Sequence, residues 1–198
     1  MRGSGKVLLV AFVAATLGVV AGFAIHGPGP LLRTEWGQHV VQSAIDLVTP
    51  APPGGLAVAT RGQPVPAIPV RLLDGGRVVL PADFTGRPLL VNVWASWCGP
   101  CIAEMPELQR FSVEQGDNGV QVVGIALDEE DAVRAFLARV PVSYPIAVDA
   151  PGPGDAGVQL GNRRGVLPYS VLISAEGRLL KQQIGPFEAG EIDAWVQP

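Results

Sequence analysis

The chain has only two cysteines, two histidines and no block of basic charge, and each scarcity removes a class of function. A structural zinc site asks for four Cys or His ligands. Cys98 and Cys101 supply two, while His26 and His39 lie well upstream of them. No metal site is expected, and no cofactor. Lys and Arg number 14 against 18 Asp and Glu, a net charge of -4. That balance lacks the basic footprint of nucleic-acid binding, so no nucleic-acid partner is expected. Charge is missing altogether from Val7 to Ile25, with Arg2 and Lys6 as a positive lead. A run of this length makes a helix of about 28 Å, close to the apolar thickness of a bilayer. It reads as a transmembrane anchor, or as a signal segment cleaved near Gly22-Phe23-Ala24. With the positive lead held in the cytoplasm, the rest of the chain lies across the membrane, where disulfides persist.

The chain divides into four parts. Residues 1–6 are the cytoplasmic lead and 7–25 the membrane segment. Residues 26–63 combine a short amphipathic helix around "LLRTEWGQHVVQSAIDLV" with a Pro- and Gly-rich linker. From about 64 to 198, short β-rich runs alternate with helices. "PVRLLDGGRVVL" reads as a hairpin about an Asp-Gly-Gly turn. "PLLVNVWA" is a near-continuous apolar run and "VQVVGIAL" a second of the same kind, as in strands buried on both faces. Helices are expected from about Cys98 to Glu114, over "DEEDAVRAFLARV" and over "EAGEIDAWV"; "YPIAVD", "YSVLIS" and "GRLLKQQIG" are expected strands. The fold class is α/β, with a mixed central sheet and helices on both faces.

Both cysteines fall in "WASWCGPCIAEMPEL". A disulfide kept for stability closes a long loop, and a Cys-x-x-Cys loop is too short to constrain much of the unfolded chain. A redox pair fits better. A strand that ends at Ala95 and turns into a helix puts Cys98 at the helix N-terminus, where unpaired N–H groups and the dipole favour a thiolate. Cys101, almost one turn on, shares its face and can resolve a mixed disulfide. Pro100 sits in the first turn, where its missing N–H does little harm.

"WCGPC" between a buried strand and a helix resembles the thioredoxin active site. Pro106 matches the proline within the thioredoxin active-site helix, Pro168 in "GVLPYSVLI" the cis-proline beside the cysteines, and Gly185 the glycine after the last strand. Within that superfamily the chain resembles the membrane-anchored TlpA, ResA and CcmG (DsbE) type of thiol-disulfide oxidoreductase. That resemblance is carried by the N-terminal segment, by "VRLLDGGRVVLPADFTGRPLLVNVW", by Glu104, and by Asn92 in place of thioredoxin's buried aspartate.

The resemblance implies catalytic Cys98 and Cys101 in a thioredoxin fold. It places Glu104 near the thiols as a proton acceptor or donor, the other reading being a solvated helix acid. Trp97 is either a shield and docking surface for Cys98 or an ordinary half-buried aromatic. Pro168 puts a backbone edge beside Cys98, shaped by Leu167 and Tyr169, and Trp94 is expected in the core. Gly99 and Pro100, the dipeptide between the cysteines, are those of thioredoxin, whose potential is about -270 mV, against about -120 mV for the oxidant DsbA. The expected activity is reduction of protein disulfides; a disulfide oxidant or isomerase, and a non-catalytic assembly module, are the alternatives. The resemblance further implies a DsbD- or CcdA-type membrane thiol donor upstream. Downstream it implies a client disulfide on apocytochrome c or a metal-site assembly protein. The location implied is the bacterial inner membrane, with the domain in the periplasm or another extracytoplasmic space.

Overall fold

A computed structural model describes residues 53–197 and, before them, residues 37, 38, 40, 41, 43 and 44. Those six are helical, within the stretch read as an amphipathic helix. The apolar run 7–25 lies outside the described residues, among which no helix is long and apolar enough to cross a membrane.

The domain is built in the order β1 (Ile68–Leu72), β2 (Arg77–Leu80), a 3-10 turn at Ala82–Phe84, β3 (Leu89–Trp94), α1 (Gly99–Gln115), β4 (Gln121–Leu127), α2 (Glu130–Leu137), β5 (Ile146–Asp149), α3 (Ala156–Gln159), β6 (Tyr169–Ile173), β7 (Leu179–Ile184) and α4 (Glu191–Trp195). The strands form one sheet in the order β2-β1-β5-β4-β3-β6-β7. β3, β4 and β5 run parallel at its centre, and the flanking pairs are antiparallel. This is the mixed α/β sheet expected from the alternating runs, in a thioredoxin-like arrangement.

The two-residue period of a strand sends alternate side chains to opposite faces, and β3 divides the core accordingly. Leu90 and Trp94 join α1, α2 and α4 through Met105, Leu108, Phe111, Phe136 and Trp195. Leu89, Val91 and Val93 point to the other face, with Ala156, Leu160 and Tyr169. Trp94 is fully buried, as expected, and packs against the Phe136 ring at 5.4 Å between centroids. Gly124, beside it on β4, has no room for a side chain: a Cβ there would stand 2.7 Å from Ile146 and 3.2 Å from the Trp94 indole nitrogen.

Part of the expected linker belongs to the domain. Ala59 and Val65 are buried. The Ala59 N–H donates to the Gln159 carbonyl at 2.7 Å, Gly62 to Leu179 at 2.7 Å and Val65 to Gly177 at 2.9 Å. A Pro- and Gly-rich stretch without periodicity can still be fixed when its backbone groups find partners at the end of a hairpin. The short α3 helix was also not anticipated; Asp155 caps it by accepting the Val158 N–H at 2.8 Å.

Candidate active site

β3 delivers the site. Its last residue, Trp94, is followed by a turn in which the Cys98 N–H donates to the Ala95 carbonyl at 3.1 Å, and α1 begins at once. Cys98 is the N-cap of α1, one residue outside the helix expected to start there, and its Sγ accepts the Cys101 N–H at 3.3 Å. The two cysteines are joined as a disulfide. Cys98 keeps 6% of its surface exposed and Cys101 none. Gly99 and Pro100 are exposed at the first turn. Ser96 anchors the approach, its N–H and hydroxyl both donating to the Asp128 carboxylate at the end of β4, at 3.0 and 2.6 Å.

Glu104, one turn below Cys101, is 1% exposed, which removes the reading of a solvated helix acid. Its Oε1 accepts from Asn92 Nδ2 at 2.8 Å and its Oε2 from the Phe187 N–H at 2.9 Å. Burial pushes its pKa up to about 7; the two donated hydrogen bonds oppose the shift and the Glu191 charge adds to it. Tyr144, buried on the same face, has its phenol pushed upward mainly by burial and then by the Glu104 charge. A carboxyl poised near neutrality within the site can hold or release a proton over the physiological range.

The Leu167–Pro168 peptide bond is cis, and the Pro168 carbonyl accepts the Gly185 N–H at 3.0 Å. Pro168 is buried and Leu167 half-buried. Trp97 is 71% exposed, more than the half-buried alternative, and lies with Leu167 on the wall of one groove. Tyr169 requires a correction. It was expected to shape the contact beside Pro168, but its ring is fully buried on the opposite face of the sheet. Its hydroxyl donates to the Leu160 carbonyl at 3.1 Å and meets Gln182 Nε2 at 2.6 Å. Alternation along β6 turns it away from the cysteines and turns Ser170 towards them.

Ser170 and Gln183 are the polar residues that the sequence reading missed. Asn92 on β3 stands opposite Ser170 on β6, which stands opposite Gln183 on β7. All three are buried, and Asn92 Nδ2 also donates to Ser170 Oγ at 3.0 Å. The row begins at Glu104. A polar residue inside an otherwise apolar strand was the available signal, at Asn92 and again at Ser170.

The Redoxin family model matches residues 60–195. The chain is 30% identical over 139 residues to the thiol-disulfide oxidoreductase ResA of Bacillus anthracis, covering 69% of this chain and 76% of that protein. It is 27% identical over 146 residues to the thiol:disulfide interchange protein DsbE of Pseudomonas aeruginosa, covering 68% and 78%. Among solved structures, a thiol-disulfide oxidoreductase from Bacteroides fragilis superposes with a TM-score of 0.57 at 27% identity, over 67% of this chain and 98% of that one.

Proposed function

Because the chain belongs to the Redoxin family and is a thiol-disulfide oxidoreductase of the ResA and DsbE type, we propose that it reduces protein disulfides outside the cytoplasm. In the dithiol form, the Cys98 thiolate attacks one sulfur of a client disulfide, forming a mixed disulfide and releasing one client thiolate. Cys101, as thiolate, then attacks Cys98 Sγ. The Cys98–Cys101 disulfide forms, the second client thiolate leaves, and both client sulfurs end as thiols after taking up two protons. Two electrons pass from the cysteine pair to the client. Glu104 accepts the Cys101 proton, and Pro168 and Leu167 present a backbone edge to the client. The observation that carries this reading is Cys98 as the N-cap of α1, accepting the Cys101 N–H and keeping 6% of its surface exposed where Cys101 keeps none: attack and resolution are assigned by that difference and by the helix terminus.

The direction of electron flow is supported by the Gly99-Pro100 dipeptide, which is that of a reductant. The extracytoplasmic site is supported by the uncharged run 7–25 behind Arg2 and Lys6, anchoring the domain at the inner membrane. A reductant there needs a membrane thiol donor of the DsbD or CcdA type, and its clients are oxidised apocytochrome c or a metal-site assembly protein. The test replaces Cys101 with alanine, isolates mixed disulfides held through Cys98 in cells, and identifies the attached proteins. Client proteins and the membrane donor are expected; recovery of neither rejects the proposal.

A further inference from the structure

Trp97, the residue before Cys98, lines a groove of about 320 Å³ together with Leu167, Arg163, Arg164 and Asp155. Trp97 and Val166 are two of the few large apolar side chains left exposed among the described residues, at 71% and 38%. They sit in the segments that carry Cys98 and Pro168.

The arginines are held on a fixed loop. Asn162, 4% exposed, clamps it: Nδ2 donates to the Val166 carbonyl at 2.9 Å, and Oδ1 accepts the Val166 N–H at 3.0 Å. The Gly165 N–H closes the same turn onto the Asn162 carbonyl at 3.1 Å, with Gly165 at φ +64°, a conformation natural to glycine. Arg164 projects from this turn, exposed, and forms no ion pair among the described residues. Asp155 leaves that charge standing, since its two carboxylate oxygens face the Val158 and Gly152 N–H groups at 2.8 and 3.0 Å. A chain of net charge -4 therefore sets a cation, on a clamped turn, in the groove that is also lined by Trp97, the residue before Cys98.

We infer that this groove docks an extended client segment, and that Arg164 selects one carrying Asp or Glu within a few residues of the attacked cysteine. The exposed indole and Leu167 cover the apolar part of such a segment, and the loop cation meets its carboxylate. An acidic enzyme repels acidic clients at long range, so a local cation at the contact is what admits them. Holding Arg164 on a clamped turn reduces the ordering cost of the encounter. The inference rests on disulfide exchange at Cys98 but not on its direction.

The test uses the full chain in its dithiol form and two intramolecular disulfide peptides, identical except for Glu or Lys two residues from the attacked cysteine. The Glu peptide is expected to be reduced at least about threefold faster at low salt, with the difference shrinking in about 0.5 M salt. Arg164→Glu should abolish or invert the preference, and Arg164→Lys should retain it. A ratio near one in the wild type, or an unchanged ratio in Arg164→Glu, overturns the inference. If neither peptide is reduced, it is the reductase reading that falls. The same ratio is then read from oxidation of the matching dithiol peptides by the disulfide form, and a ratio near one there overturns the docking surface.

Discussion

Asn92 Nδ2 stands 2.8 Å from Oε1 of Glu104, so the buried carboxyl below the redox disulfide is held by the side chain at the middle of β3. The same nitrogen gives its other hydrogen to Ser170, which fixes the amide with its donor side towards the carboxyl. Glu104 thus ionises under two opposed influences, burial that keeps it protonated and donated hydrogen bonds that favour its charge.

The folded protein holds the Glu104 proton more tightly than the unfolded chain does, since its pKa is raised from 4.5 to about 7. The stability linked to that proton is fully present below pH 4.5 and lost as pH rises through 7. Urea unfolding of the disulfide form should show a loss of about 3 kcal/mol across that window. Glu104→Gln should remove the slope, at a roughly constant cost from mispairing one buried donor. Equal slopes in the two proteins would mean that Glu104 does not titrate in this range.

Removing Asn92 takes away a hydrogen bond that lowers the Glu104 pKa. Asn92→Ala should raise the Glu104 midpoint by about one unit, read by carboxyl carbon NMR across a pH series. An unmoved or lowered midpoint would show that the bond does not favour the ionised form.

In the disulfide form, Cys98 caps a helix N-terminus and keeps some exposure, whereas Cys101 has none, and the same placement should set reactivity once the pair is reduced. Iodoacetamide should label Cys98 first, with a midpoint in its pH profile below the ordinary value of about 8.5. Peptide mass spectrometry distinguishes the two sites. Preferential labelling of Cys101 would reverse the assigned roles.

Gly124→Ala drives a methyl group against Ile146 and Trp94. It should destabilise the domain by about 1–3 kcal/mol through overpacking, measured by chemical unfolding. Unchanged stability would mean that the sheet yields there without cost.

The strand-to-helix placement of the cysteines was legible because "LLVNVWASWCGPC" joins an apolar run to a proline-marked first turn. Pro168 and Glu104 were found through the family resemblance of the motifs that contain them. Tyr169 was misplaced for a physical reason: "YSVLI" is buried on both faces, so its period does not say which side chain faces the cysteines. The Asn92-Ser170-Gln183 row depends on register between three strands, and register comes from pairing across the sheet. Residues 59–63 looked like linker because their order comes from backbone bonds to the end of the β6–β7 hairpin and to α3. The clamp of Asn162 on Val166 joins groups four residues apart in a loop with no periodicity to mark it.

Cys98 and Cys101 are proposed to give electrons to client disulfides. This is tested most directly by equilibrating the full chain against glutathione or dithiothreitol redox buffers at pH 7 and measuring the reduction potential of the pair. A reductant should show a value below about -200 mV, on the thioredoxin side of the known range. A value above about -150 mV, approaching that of DsbA, would contradict the proposal and make the protein a disulfide oxidant.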